Sequence, residues 1–341
     1  MSFVELRAIF IHSIENFLLT LPKAYKIDIM NFYRYISPAL GIFSSLLFLC
    51  ACDSSEFNDD DLDFPSPIAP HRAKISAVDY SPAPGQFVNE MPTYEDGDTR
   101  ASMNAKALEV LNRGGLISLG AFGGEITITL AEPIFHNPGE DADFRVLGNS
   151  YITGEGNGVS YGSSEPGMVW IMKDENGNGK PDDTWYRFVG DMQDEIAYMT
   201  VTYTPNPNPT SAEWVDWVSD SGDSGHLTCN TAYHDHTYFP LWLNKGTSNV
   251  SMTKAGYALP ANGFLDTSTG LYRQICYPGF ADSFPNNDIR SAFSIKDAVD
   301  ILGNHADIDR VDFIRITTAV LDSNGPLGET STEIGGIEIL H

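Results

Sequence analysis

Short apolar runs separated by turn-forming residues constrain the fold of this chain more than any other feature. In the clearest run, Glu125–Leu130, apolar and polar residues alternate strictly. Because successive side chains of a strand point to opposite faces, Ile126, Ile128 and Leu130 are predicted to face a core, and the threonines between them to face outward. Seven further runs bounded by Gly, Pro, Asn or Asp are predicted as strands: Leu116–Leu119, Phe144–Leu147, Met168–Met172, Trp185–Val189, Met199–Tyr203, Val311–Thr318 and Ile334–Leu340.

One short helix near the start of the domain is predicted, over Thr99–Arg113. Thr99 is a suitable N-cap, and the two glycines after Arg113 end the helical spacing. Its apolar side is predicted to comprise Ala101, Ala105, Leu108 and Leu111. The strands are short, turns recur about every 8–12 residues, and no further helices alternate with the strands. The pattern therefore predicts an all-β protein, built as an antiparallel β-sandwich with long loop insertions.

The charge of the chain limits its partners. The 341 residues include 20 Lys and Arg against 46 Asp and Glu, which gives a formal net charge of −26. A polyanion of this size repels nucleic acid phosphates and anionic lipid headgroups, so neither DNA nor RNA is an expected partner. Hydrophobic residues make up 42% of the chain, which is too many for a disordered protein.

The amino-terminal region has the layout of an export signal. An apolar stretch without charged residues, Ile36–Ala51, follows Arg34 and precedes a cysteine. It is shorter than the about 20 residues that a membrane-spanning helix needs, which favours a secretory signal peptide over residues 30–51. The residues before Cys52 resemble the bacterial lipobox, so Cys52 is the predicted lipidation site. An uncleaved anchor helix is the alternative, and residues 1–29 are interpreted as an over-extended start of the reading frame.

The segment after the predicted lipidation site is acidic and rich in proline. Residues 52–91 are therefore predicted to be an extended tether, and contact with the membrane is expected through the lipid anchor only. Residues 92–341 show no internal boundary and are predicted to form one β-sandwich domain. Aromatic-rich loops are expected to be inserted in that domain at about 205–290.

The sharpest local motif is the acidic, glycine-containing segment Asp174–Asp183. Alternating oxygen-bearing side chains around a turn suit Ca²⁺, which takes six to eight hard ligands at roughly 2.3–2.6 Å. The first seven positions match an EF-hand loop, but Trp185 stands at the twelfth position in place of a glutamate. A structural calcium ion is predicted here, and an acidic hairpin without an ion is the alternative. The predicted ligands are Asp174, Asn176, Asn178, the carbonyl of Lys180, Asp182 and Asp183.

A second concentration of informative residues is aromatic. Planar rings on loops are common platforms for sugar rings and other flat ligands, with polar neighbours supplying hydrogen bonds. The predicted ligand-binding residues are Trp214, Trp217, Tyr233, His234, His236, Tyr238 and Trp242. The alternative is that most of these rings fill a core. The histidine pair could also hold zinc, although no third ligand is identified.

Signals for catalysis are weak. Glu165, Asp216 and Glu329 could form a carboxylate pair for glycoside hydrolysis, but carboxylates are abundant throughout the chain. No nucleophile elbow, zinc-protease helix or phosphate-binding glycine loop is present.

Two cysteines lie beyond the predicted lipidation site. In an exported protein, Cys229 and Cys276 could form a disulfide across the predicted insertion. Two free thiols are the alternative, because sequence separation alone does not define the geometry that a disulfide needs.

Segments across the C-terminal two-thirds of the chain resemble a family of Bacteroidetes cell-surface lipoproteins with a PKD-like region. The resemblance is carried, in order, by Ile117–Leu130, Asn137–Asn149, Ser164–Met172, Trp185–Phe188, Ser221–Gly225, Tyr238–Trp242, Gly279–Asn286, Val311–Ile316 and Leu327–Ile334. It implies a jelly-roll sandwich similar to galactose-binding-like domains, displayed at the cell surface beside nutrient-uptake systems. The acidic run behind Cys52 likewise resembles the surface-export signal of Bacteroidetes lipoproteins, which implies the outer face of the outer membrane.

Three functions are consistent with these observations. The first is a non-catalytic outer-membrane surface lipoprotein, a calcium-stabilised binding module that captures a glycan or another small nutrient for an uptake system. The second is an adhesive or structural partner of an outer-membrane transporter. The third is a polysaccharide hydrolase that acts through a carboxylate pair.

Overall fold

Short antiparallel strands dominate the fold. The computed structural model describes residues 69–206, 213–228, 238–243, 251–322 and 327–341. Within these ranges the elements are β1 (His71–Arg72), β2 (Ile75–Ser81), α1 (Arg100–Asn112), β3 (Ile117–Ser118), β4 (Glu125–Phe135), β5 (Phe144–Leu147), β6 (Tyr151–Gly156), β7 (Val159–Ser163), β8 (Gly167–Met172), β9 (Trp185–Arg187), β10 (Ala197–Pro205), β11 (Glu213–Ser219), β12 (Ser224–Thr228), β13 (Met252–Ala258), β14 (Gly263–Asp266), β15 (Leu271–Ile275), β16 (Ala292–Phe293), β17 (Arg310–Thr318), β18 (Glu333–Ile334) and β19 (Gly336–Ile339).

The strands form several small sheets instead of two large ones. A five-stranded sheet has the order β2-β4-β17-β8-β9. Three four-stranded sheets have the orders β1-β19-β5-β16, β12-β11-β10-β13 and β14-β15-β7-β6, here named the β5, β10 and β7 sheets. The strands β18 and β3 pair separately. The four larger sheets are arranged as in a four-bladed β-propeller, so the prediction of a single galactose-binding-like jelly-roll sandwich is wrong.

The hydrophobic interior explains why one sandwich is not formed. A jelly roll buries one continuous layer between two sheets, whereas the described residues form three clusters. The largest packs β4 and β17 of the five-stranded sheet against α1 and against Phe144 and Ile337 of the β5 sheet. A second cluster joins the β10 sheet to Phe122. A third, small cluster surrounds Phe280.

The predicted elements are present, although their ends differ. Each of the eight predicted strands overlaps an observed strand, and Ile126, Ile128 and Leu130 are buried as expected. The helix begins after Thr99, whose side chain accepts a hydrogen bond from the Ser102 backbone N–H at 3.3 Å. The predicted apolar side of this helix is correct for Leu111, which is buried, and for Leu108, which packs half-buried against the largest cluster. It is wrong for Ala101 and Ala105, which are exposed, while Met103 and Ala107 are buried instead.

The predicted domain boundaries shift in the structure. Residues Ser66–His341 form one compact unit, which includes β1 and β2. Ile75, Tyr80 and Val88 are buried, so the folded body begins well before the predicted tether ends at residue 91. The predicted loop insertion at about 205–290 contains five strands, β11 to β15, in its described residues. The predicted signal peptide and Cys52 lie outside the described residues.

A tight turn between β3 and β4 depends on the absence of a side chain. A Cβ atom at Gly124 would overlap the Leu119 carbonyl oxygen and lie 2.7 Å from the Ala83 nitrogen. The Gly124 backbone also accepts a hydrogen bond from the Thr318 N–H at 2.9 Å, which connects the turn to the end of β17. The two groups that a Cβ would meet are hydrogen-bonded to each other, the Ala83 N–H donating to the Leu119 carbonyl at 3.0 Å, so neither can move away without disturbing that bond.

We expect Gly124→Ala to lower the free energy of unfolding by about 1–3 kcal/mol, because both clashing atoms belong to the backbone. Gly256→Ala is the matched control, since its Cβ would lie 3.7 Å from the Phe122 ring, at an ordinary van der Waals distance. Urea denaturation followed by tryptophan fluorescence measures both. Equal stability of the two variants would contradict this account of the turn.

Candidate functional site

The acidic segment predicted to bind calcium forms an ordered loop between β8 and β9. The Asp174 carboxylate accepts hydrogen bonds from the backbone N–H groups of Asn178 at 3.1 Å and Gly179 at 2.8 Å. The Asn178 side-chain oxygen accepts one from the Lys180 N–H at 2.7 Å. Gly177 and Gly179 have φ values of +71° and +69°, a conformation that glycine adopts without strain. The chain therefore wraps around its own side-chain oxygens.

The far end of the loop closes on the same side chains. The Asn178 amide donates to both Asp182 carboxylate oxygens, at 3.2 and 3.1 Å. The Asn176 amide donates to Asp183 at 3.1 Å, and the Asp182 N–H donates to the Lys180 carbonyl at 2.9 Å. The structure thus brings all six predicted ligand residues together. Which of them bind an ion stays a prediction.

The chemistry of this loop suits a hard cation. It presents three carboxylates, two side-chain amides and a carbonyl, all on an exposed segment. The neighbouring basic side chains are engaged elsewhere: Lys173 pairs with Asp309 at 2.7 Å, and Arg310 pairs with Asp312 at 3.0 Å. Among the described ion pairs, none neutralises the carboxylates of the loop. Oxygen ligands with excess negative charge are those that Ca²⁺ selects.

The predicted aromatic residues that the structure describes are packed in its interior. Tyr238 is 2% exposed and Trp242 is 5% exposed. Trp242 stacks with Tyr80 and Tyr94 at ring-centroid distances of 5.8 and 6.3 Å. Trp217 is half-buried against the second hydrophobic cluster, which joins the β10 sheet to Phe122. The alternative interpretation, that these rings fill a core, therefore accounts for most of their surface.

Trp242 nevertheless reaches one cavity. With Tyr94, Leu241 and residues 97–100 at the start of α1, it lines an open space of about 420 Å³. The side chain of Trp214, and Tyr233, His234 and His236 in full, lie outside the described residues. The sugar-binding and zinc predictions for these four residues therefore stay predictions.

The predicted disulfide also involves a residue that the structure does not describe. Cys276 is buried and forms no disulfide within the described part of the chain, and burial raises the pKa of its thiol to about 11. Because Cys229 lies outside the described residues, the pairing stays a prediction.

A group of buried carboxylates was only partly anticipated from the sequence. Glu165, Asp282 and Glu333 each have an oxygen within 4.8 Å of the others, and we name them the carboxylate triad. Of these, only Glu165 was a candidate. Glu329, also a candidate, is 1% exposed, and its charge acts on Glu165. The third candidate, Asp216, lies on β11 and pairs with His226 at 2.8 Å, away from this group.

Backbone amides hold the triad in place. The Asp282 carboxylate accepts hydrogen bonds from the N–H groups of Asn149, Ser150 and Glu333 at 2.9–3.0 Å. Asp282 itself has φ +51°, an uncommon conformation for a residue with a side chain. Glu165 accepts from the Ser331 N–H at 3.0 Å. The triad therefore joins the start of β8, the turn around residue 282 and the segment that leads into β19.

Burial raises the pKa values of these acids. Desolvation is the main cause throughout: it raises the pKa of Asp282 to about 6 and those of Glu329 and Glu333 to about 8, and it places that of Glu165 well above its ordinary value. No lysine or arginine forms an ion pair with them within the described residues. Glu329 and Glu333 therefore retain protons near neutral pH. The triad oxygens are also close enough together for one divalent cation to contact all three.

Sequence reasoning missed Asp282 and Glu333 because acidic residues in a highly acidic chain are expected to face solvent. The one available signal is the period-two spacing of Glu329, Ser331 and Glu333, which places an acid at each end of an extended segment. None of the three cavities whose linings are described includes a member of the triad.

Comparison of the chain with protein-family models and with curated proteins finds no match. The similarity to Bacteroidetes cell-surface lipoproteins therefore stays a prediction from the sequence. In the part of the chain that is described, no helix has both the length and the apolar character that crossing a membrane requires.

Glu329 allows a test of the buried acids. Its folded-state pKa of about 8 lies above the ordinary value of 4.5, so its contribution to stability is fully present below about pH 4.5 and is lost as the pH rises through 8. In Glu329→Gln the amide oxygen can still accept the Gln86 N–H. We therefore expect the decrease in Tm between pH 5 and pH 8 to be roughly 2–4 °C smaller in this variant, which corresponds to about 1 kcal/mol.

Calorimetry in excess EDTA measures this difference without interference from metal ions. The exposed Glu140→Gln is the control and should retain the pH dependence of the unsubstituted protein. Parallel melting profiles for all three proteins would show that Glu329 titrates normally.

Proposed function

We propose that this protein is a non-catalytic binding module, anchored through Cys52 to the outer face of the outer membrane and stabilised by calcium at the Asp174–Asp183 loop. The observation that carries the proposal is the convergence of six oxygen-bearing residues on one exposed loop, with three carboxylates that no described cation neutralises. Calcium is available outside cells at concentrations that weak sites require, and such sites tolerate solvent exposure.

The ion has a structural task in this proposal. The loop connects β8 to β9, and β9 is a three-residue strand at the edge of the five-stranded sheet. Mutual repulsion between Asp174, Asp182 and Asp183 weakens the connection, and a bound cation removes that repulsion. The ion therefore fixes the position of β9 in relation to β8.

The ligand in this proposal is a glycan or another small nutrient, passed to an uptake system. Support comes from the number of partly exposed aromatic rings that lie among the sheets, such as Trp170, Trp185 and Tyr257, since aromatic rings stack on sugar rings. Exposed display on a surface lipoprotein also agrees with the strongly acidic character of the chain, which opposes self-association.

A specific surface favours a second candidate, an adhesive or structural partner of a transporter. Ile301 and Leu302 are 73% and 83% exposed at the tip of a turn. The Asp300 side chain accepts hydrogen bonds from the N–H groups of Leu302 and Asn304, at 2.8 and 2.9 Å, which orders the turn. Two adjacent apolar side chains presented in this way suit contact with another protein.

Removal of calcium should destabilise the protein, because a ligand bound only by the folded state raises stability by mass action. We expect Ca²⁺ to raise Tm by roughly 2 °C or more, which corresponds to an increase of about 1 kcal/mol in the free energy of unfolding, and we expect EDTA to reverse the change. Asp174→Asn should abolish the calcium effect, while the control Asp141→Asn, at an exposed position outside the loop, should retain it. Calorimetric titration with CaCl₂ supplies the affinity. If no heat of binding is measured and the protein melts identically in Ca²⁺ and in EDTA, the calcium proposal is contradicted, and the loop is an acidic hairpin without an ion.

Ligand capture is tested on a glycan array that contains neutral and acidic oligosaccharides, with the full chain loaded with Ca²⁺. We expect saturable binding without cleavage to at least one class of glycan, and weaker binding after treatment with EDTA. Heat-denatured protein is the control for nonspecific adsorption. Absence of saturable binding to any glycan would contradict the binding-module proposal, and release of shortened products would favour a hydrolase.

A further inference from the structure

Two arginines and a tryptophan form a row across one face of the five-stranded sheet. Arg315 on β17 is paired directly with Trp170 on β8, and Trp170 is paired with Arg187 on β9. Residues directly opposite each other in neighbouring antiparallel strands share a face of the sheet. Trp185 lies two residues before Arg187 and therefore shares that face as well.

Aromatic rings cover both guanidinium groups. The Arg187 Cζ lies 4.1 Å from the ring centroid of Tyr257, and the Arg315 Cζ lies 4.0 Å from that of Trp185. The ring of Tyr257 also contacts Trp170, with centroids 5.7 Å apart. Tyr198, which is 62% exposed, packs edge-on against Tyr257 at 5.2 Å. We name this set the arginine–aromatic face: Arg187, Arg315, Trp170, Trp185, Tyr198 and Tyr257.

Neither guanidinium of this face has a hydrogen-bond acceptor. Arg187 is 8% exposed, and its Nε and Nη1 atoms are buried without a partner in the described residues. The Nε atom of Arg315 is in the same situation. Burial lowers the pKa of Arg315, and only the nearby charge of Glu125 opposes that shift. A buried N–H group without an acceptor has lost its contact with water and gained no hydrogen bond, so the arrangement is unfavourable in the absence of a ligand.

The other described arginines do not behave in this way. Six of them form ion pairs with carboxylates: Arg100, Arg113, Arg145, Arg273, Arg290 and Arg310. Arg72 donates to backbone carbonyls. In a chain with 46 acidic and 20 basic residues, carboxylates are available to nearly every cation. Arg187 and Arg315 share one face of the sheet with a single strand between them, and neither has an oxygen partner within the described residues, so an external acceptor is expected on this face.

We infer that the arginine–aromatic face binds a carboxylate-bearing sugar, with the carboxylate held by the guanidinium groups and the sugar ring against the aromatic side chains. A guanidinium matches the geometry of a carboxylate and can donate two parallel hydrogen bonds to it. A carboxylate carries a single negative charge, which suits a protein of net charge −26 better than a dianionic phosphate monoester does. The inference rests on the proposed binding function and specifies its site and ligand class.

The arginine–aromatic face is also connected, through β9, to the Asp174–Asp183 loop, which is the proposed calcium site. Trp185 follows the loop after a single intervening residue, and Arg187 is the last residue of the same strand. The Arg187 backbone exchanges hydrogen bonds with Val299 at 2.8 and 2.9 Å, which holds that end of β9. The other end depends on the loop, so calcium orders the side chains that receive the sugar.

The test uses calorimetric titration of the full, Ca²⁺-loaded chain with trigalacturonate and with its methyl ester. The ester keeps the sugar rings and removes the charges. We expect the acid to bind at least about ten-fold more tightly than the ester, and Arg315→Gln to lower the affinity for the acid by at least about ten-fold. Arg113→Gln, which changes an exposed arginine outside the face, should bind as the unsubstituted protein does. Tyr198→Ala should weaken binding of the acid and the ester alike, since this exposed ring contacts the sugar only.

Circular dichroism and Tm establish that each variant is folded, and Tyr198→Ala serves as the principal variant if Arg315→Gln does not fold. Equal affinities for acid and ester, or affinities unchanged in both variants, would overturn the inference. Saturable binding of neutral glycans without any preference for the acid would also overturn it, while leaving the proposed binding function intact. Binding of the acid that needs Arg315 supports both.

Discussion

The insertion of β17 between β4 and β8 is the interaction on which the rest of the structure depends. This strand comes from the last tenth of the chain, yet it pairs along its length with strands that lie nearly 200 and 150 positions earlier. At its centre, Ile314 and Ile316 are buried in the largest cluster, and Arg315 between them points to the opposite face. Burial of the isoleucines therefore fixes the register, and the register places Arg315 beside Trp170. The core and the arginine–aromatic face are two consequences of one pairing.

Excess negative charge is accommodated in two different ways. In the Asp174–Asp183 loop the carboxylates stay in water, and each accepts hydrogen bonds from the loop itself. In the carboxylate triad and at Glu329 the acids are buried, and desolvation raises their pKa values, so that Glu329 and Glu333 keep their protons near neutral pH. Exposure leaves the carboxylates of the loop accessible to a cation. Burial makes the triad sensitive to pH instead.

Local patterns in the sequence predict elements well and their partners poorly. The alternation of Glu125–Leu130 identifies a strand and its buried face, because that information lies within six residues. It does not reveal that β4 pairs with both β2 and β17, since β2 begins in a proline-rich region and β17 lies far along the chain. For the same reason the sequence predicts α1 correctly but its buried side only in part: Leu111 is buried as expected, whereas contact with β2 selects Met103 over Ala101.

The candidate sites follow the same division. The residues of the Asp174–Asp183 loop are close together in the sequence. Their spacing therefore predicts that their oxygen-bearing side chains converge, as they do in the structure. The carboxylate triad and the arginine–aromatic face are assembled from segments that lie far apart in the sequence. Of their residues, the sequence alone identifies only Glu165 as a candidate site residue.

The Asp174–Asp183 loop leads into β9, and β9 carries Trp185 and Arg187 of the arginine–aromatic face, so the two proposed sites are joined through one structural element. An edge strand of three residues has few hydrogen bonds of its own, and its position depends on what holds its ends. A cation that orders the loop reduces the entropy that the strand still has to lose when a sugar binds, so each ligand raises the affinity for the other. Linkage requires this coupling to be equal in both directions. Under the proposed function, this three-residue edge strand is the element through which sugar binding would respond to calcium.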